Sequence, residues 1–115
     1  MGEATSRKDL IQQYKERPKV GGVFVIRNSV NGKLLLSSSV DLQSSQNRFA
    51  FAVSTGSCID LALQKDWEKQ KGVGFTLEVL EEVAQGETQS AAEFKEDVLL
   101  LKEIWQERLS NQVVY

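Results

Sequence analysis

The chain contains no histidine, a single cysteine and a single proline. Without histidine there is no Cys/His zinc site, no histidine-based triad and no histidine general base. Cys58 has no partner for an internal disulfide and no basic neighbour beside it in the sequence, so it reads as a small inert residue. Metal ligands are limited to carboxylates and amide or main-chain oxygens, a set that suits Mg²⁺ or Mn²⁺ rather than zinc. No apolar run approaches membrane-spanning length, and the opening MGEATSRKDL has no apolar signal segment. No membrane partner and a cytoplasmic location are therefore expected. The Met1-Gly2 start with Ser6 formally fits a myristoylation pattern, but Ser6 also reads well as a helix cap. An excess of basic charge is missing too: 14 Lys and Arg stand against 16 Asp and Glu, a net charge of −2. Nothing draws the whole chain to a polyanion, so nucleic-acid binding would need a local patch of cations.

What is present fits one soluble domain over residues 1–115, with 41% hydrophobic and 26% charged residues. Residues 1–19 are expected to form a first helix and linker. Ser6 and Asp9 cap that helix, Leu10, Ile11 and Tyr14 follow at helical spacing, and Pro18 ends it. The core is expected over 20–109 and a short tail over 110–115. Val20 to Asn28 and Leu34 to Ser37 flank Asn31-Gly32, which predicts a hairpin with a type I′ turn. Asp41 to Val53 reads as a helix, and Ser57 is placed to cap another, with Ile59, Ala62, Leu63 and Trp67 on its apolar stripe. Gly72 and Gly74 break it. Phe75 to Leu80 alternates as a third strand, Glu81 to Ser90 reads as a polar connection, and a last helix runs from about Ala91 to Leu109. The order α-β-β-α-α-β-α describes an α+β fold with a small three-stranded antiparallel sheet.

Gly22-Val23-Phe24 on the first strand and Leu35-Leu36-Ser37 on the second resemble the two hairpin motifs of the GIY-YIG nuclease family. The stretches IRNSVNGK, SSSVDL, NRF, LQKDW, FTLEVLEEV and KEDVLLLKEIW follow, in order, the pattern of its small single-domain branch over roughly residues 10 to 109. The resemblance implies a tyrosine on each hairpin strand, an arginine on the next helix and a metal-binding glutamate on the last, acting together on a phosphodiester. The retained position is Arg48, the expected catalytic residue. The others depart from the pattern: Phe24 and Leu35 replace the tyrosines, Ser37 the glycine and Lys102 the glutamate. Phe24 keeps the ring without its proton-carrying hydroxyl, and Leu35 loses both.

On a helical projection, Phe94, Val98, Leu101, Trp105 and Leu109 form one stripe. Lys102 lies inside its edge and Glu103 about a quarter-turn further out. Lys102 is either a fixed cation at the metal position or a snorkelling side chain, and no metal site is expected either way. No cofactor follows, and Mg²⁺ or Mn²⁺ enters only if cleavage is retained. The expected function is a nuclease-like domain that has lost metal-dependent cleavage and binds a nucleic-acid or protein partner. The alternative is a rewired endonuclease using Arg48 and Lys102 as phosphate-stabilising cations. Arg27, Lys33, Arg48 and Lys102 are the candidate phosphate contacts, expected on one cleft face.

Overall fold

The computed structural model describes residues 19–58, 60–112 and 114–115. The expected first helix and the position of Ile59 lie outside the described residues. Strands β1 (Val20–Asn28), β2 (Leu34–Ser39) and β3 (Phe75–Ala84) form one antiparallel sheet in the order β2-β1-β3. Helices α1 (Leu42–Thr55) and α2 (Gln64–Gln70) follow β2, with a single 3₁₀ turn at Leu61–Leu63 leading into α2. Helix α3 (Ala91–Arg108) comes last. The described order is thus β-β-α-α-β-α, as the sequence pattern predicts.

The central strand β1 is buried on both faces because helices cover both. Phe24 and Ile26 join Leu42, Ala52, Leu63, Trp67 and Phe75 in a core under α1 and α2. Val23 and Val25, alternate residues of the same strand, are fully buried on the face toward α3, which packs against β1 and β2 and buries Phe94 and Val98. Trp67 anchors the first core: its ring lies 4.7 Å from Phe75 and edge-on to Phe49 at 6.2 Å, and its Nε1 donates to the Gly56 carbonyl at 3.2 Å. Burying each such large apolar side chain contributes about 1.5–3 kcal/mol.

The caps are local. Asp41 accepts from the Ser44 amide at 3.1 Å to start α1, and Gly56 ends it in the left-handed region. Ser90 and Glu93 form a reciprocal capping box on α3. At the second helical stretch the cap is Asp60, accepting from the Ala62 amide at 2.9 Å, rather than the expected Ser57.

The hairpin turn also differs from expectation. A type I′ turn needs positive φ at both central residues, and here Gly32 alone supplies it. A four-residue loop forms instead, closed by Asn28 N–H to the Lys33 carbonyl at 2.9 Å and Gly32 N–H to the Asn28 carbonyl at 2.8 Å. Asn28 and Asn31 side chains accept from the amides of Val30 and Lys33, folding the loop back on itself.

β3 runs four residues past the expected Leu80, because Glu81 to Ala84 pair with Val20 to Val23 beyond a bulge. Ladder bonds are made by the backbone, so these polar side chains do not prevent the strand. Close backbone approach on both sides of β1 explains Gly21-Gly22: a Cβ on Gly22 would meet the Glu81 carbonyl oxygen of β3 at 2.0 Å, and one on Gly21 the Ser39 carbonyl oxygen of β2 at 2.5 Å. No described helix is long and apolar enough to cross a membrane.

Candidate functional site

Antiparallel pairing sets Phe24 opposite Ser37 and Ile26 opposite Leu35, so all four share one face of the hairpin. Asp41 starts α1 beside that face, which presents Ser45 and Arg48, one turn apart, over it. A hollow of about 90 Å³ results, lined by Phe24, Ile26, Leu35, Ser37, Ser45, Arg48 and Asp60. Four of the five positions singled out by the resemblance (Phe24, Leu35, Ser37 and Arg48) therefore converge. Arg48 is exposed and makes no ion pair with a described residue. Ser45 and Asp60 escaped sequence reasoning. The first was legible, since it lies three residues before Arg48 on the same helix, whereas Asp60 arrives through a loop that leaves no periodic signal.

Lys102 lines a second hollow, of about 340 Å³, between Leu35 and Leu36 of β2, Gln106 of α3, the cap residue Leu109 that follows it, and Tyr115. Leu35 belongs to both hollows and forms the divide between them. The projection of α3 holds: Phe94 and Val98 are buried, Lys102 and Trp105 half-buried, and Glu103 exposed. Trp105 packs half in and half out, donating to Glu81 at 2.8 Å with the Arg108 guanidinium 5.0 Å above its ring.

The resemblance implies a divalent metal, and the residues do not fit one. Mg²⁺ needs an oxygen-rich octahedral shell. The smaller hollow offers one carboxylate, Asp60, already engaged by the Ala62 amide, and the larger offers a lysine. No described group of three His, Cys, Asp or Glu side chains could hold a metal ion.

The four candidate cations do not share one face. Arg27 alternates with Ile26 onto the α3 side of the sheet, where its Nε lies 2.9 Å from Glu78 Oε2. Lys33 sits at the hairpin loop with its Nζ 5.6 Å from the Tyr115 ring centroid, beside the larger hollow. Arg48 and Lys102 remain on either side of Leu35.

At the loop end of β1 a polar cluster closes the same core. Asn28 is fully buried: its Nδ2 donates to Gln70 Oε1 at 2.7 Å and to the Tyr115 hydroxyl at 2.8 Å, and its Oδ1 accepts from Gln70 Nε2 at 2.9 Å. The Tyr115 hydroxyl donates to Asp66 Oδ2 at 2.8 Å, which also receives Asn31 Nδ2 at 2.9 Å. The Tyr115 bond, aided by Asn31, holds the Asp66 carboxyl below its ordinary range, while burial pushes the Tyr115 phenol up. Asp41 is held low by the Ser44 amide and hydroxyl.

No family model matches the sequence, and no curated protein matches it significantly. Two solved structures match the fold. The catalytic domain of the homing endonuclease I-TevI superposes with a TM-score of 0.57 at 22% identity, over 78% of this chain and 88% of that one. A point mutant of the catalytic domain of intron endonuclease I-TevI gives the same TM-score and identity, over 79% of this chain and 84% of that one. At this identity the likeness shows the fold, which is that of the GIY-YIG catalytic domain.

Proposed function

We propose that this domain is a non-catalytic nucleic-acid-binding module built on a nuclease fold. One observation carries the reading: the hollow where the resemblance would seat two tyrosines is walled by Phe24, Ile26 and Leu35 and rimmed by Arg48, which is unpaired among the described residues. Phe24 and Leu35 cannot move a proton to or from an attacking water as tyrosines could, while an exposed guanidinium remains suited to a phosphate. Lys102, at the position corresponding to the metal-binding glutamate, adds a second cation across the Leu35 divide.

A supercoiled-plasmid nicking assay with Mg²⁺, Mn²⁺ or EDTA tests the loss of cleavage, and no nicking is expected in any arm. Metal-dependent nicking abolished by Arg48→Ala would overturn the reading. Filter binding across a salt series tests the partner. Phosphate contacts give affinity that falls steeply with salt, and no binding at low salt would point to a protein partner instead.

The second reading, a rewired endonuclease, draws on Asp60. It stands in the same hollow as Arg48 and uses one oxygen for the Ala62 amide, so the other could accept a proton. Nicking that survives EDTA and disappears with Asp60→Asn would favour it.

A further inference from the structure

The larger hollow carries Lys102, but the rest of its lining has chemistry of another kind. Leu36, Leu109, Val114 and the Tyr115 ring give it apolar walls, whereas Gln106 and Gln112 bring amides with both donors and acceptors. Lys102 stands among them. The Tyr115 wall is preset: its hydroxyl is tied to Asn28 and Asp66, and its amide donates to the Leu34 carbonyl at 2.9 Å. Val114 is bridged in parallel to Leu34 along the open edge of β2, which holds the rim in place.

We propose that this hollow receives one unpaired nucleotide, with the base between the apolar walls and its edge read by Gln106 and Gln112. Lys102 meets the adjoining phosphate, and Arg48 meets another across the Leu35 divide. The inference rests on the nucleic-acid reading of the preceding subsection. Its physical basis is the pairing of apolar surface, one aromatic ring included, with amide groups and cations, the three features a nucleotide presents in complement. A volume of about 340 Å³ lies at the small end of the ligand-pocket range and gives room for a single base. A paired base would have to be extruded first, at the cost of its stacking and pairing.

The test uses an oligodeoxynucleotide with one central 2-aminopurine, its duplex, and the RNA strand of the same sequence. Either single strand, DNA or RNA, is expected to bind about tenfold or more tightly than the duplex, with 2-aminopurine fluorescence rising as its neighbours unstack. Val114→Trp fills the hollow from an exposed position, so the fold should survive. It is expected to lower single-strand affinity about fivefold or more and remove the fluorescence change. Gln106→Ala, also exposed, should narrow the differences in affinity between strands carrying different bases at that position. Equal affinity for strand and duplex, or a fluorescence change untouched by Val114→Trp, overturns the nucleotide pocket and leaves the phosphate-binding reading standing. No binding of any strand at low salt overturns both.

Discussion

Phe24 and Asn28 lie on the same face of β1, yet their surroundings are opposites. At the Asn28 end, polar groups from the hairpin, α2 and Tyr115 close on one another, and no buried side-chain nitrogen or oxygen among the described residues lacks a hydrogen-bond partner. At the Phe24 end the sheet face is apolar but for Ser37, and the cation over it, Arg48, is unpaired among the described residues. The loop end therefore holds the fold together through polar cross-links. The other end leaves a cation unpaired among the described residues over a largely apolar floor.

The strongest way to break this contrast is Asn28→Leu. It removes the bonds Asn28 makes to Gln70, the Tyr115 hydroxyl and the Val30 amide and leaves Gln70 Oε1 without its partner, with an expected loss of about 2–4 kcal/mol in urea unfolding. A loss under about 0.5 kcal/mol would mean that the cluster contributes little to stability. Tyr115→Phe is milder, about 1–2 kcal/mol, since Asn28 keeps Gln70.

Acid should sharpen the contrast further. Asp66 and Asp41 both have folded pKa values below the ordinary 3.8. The unfolded chain then binds protons first as pH falls, so the stability these groups add is complete above about pH 4 to 5 and is lost in more acid solution. Thermal melts of Tyr115→Phe across this range should show a shallower acid slope than the unmodified protein, because the main cause of the Asp66 shift has been removed. At the alkaline end the sign reverses. The folded Tyr115 phenol has a pKa above 10.0, so its stabilising contribution declines as pH rises beyond 10.

The smallest stability effects belong to the Phe24 end. Arg48→Ala is expected to change stability by no more than about 0.5 kcal/mol, since the side chain is exposed and unpaired. Its effect should appear in binding, as a salt slope shallower by about 1. Phe24→Tyr alone should restore no cleavage. Nicking is expected only when Leu35→Tyr and Lys102→Glu are added, which would supply the missing hydroxyls and carboxylate together.

Much of the fold was legible because its signals are local. Asp41 and Ser90 cap the helices that follow them, and alternation in Phe75-Thr76-Leu77-Glu78-Val79 marks a half-buried strand. The stripe on α3 likewise separates Lys102 from Glu103 by angle alone. Misreadings arose where a local preference met a competing contact. Asn31-Gly32 suits a type I′ turn, but the Asn28 and Asn31 side chains bind the loop backbone and select a longer one. Glu81 to Ala84 looks like a connection, yet the free edge of β1 pairs with it.

The sequence by itself determined the elements, their order and which residue types could do chemistry, because periodicity, capping and the absence of histidine are properties of neighbours along the chain. Only the tertiary structure decided which of those residues meet. It brought Phe24, Leu35, Ser37 and Arg48 to one hollow and set Lys102 in the next. It also turned Arg27 to the far face, against Glu78. Tyr115, which reads as part of a tail, proved to be the bolt of the Asn28 cluster, a contact spanning 87 residues that no local pattern encodes. Pairing register and helix placement create such meetings, and both are set by burial summed over the whole sheet.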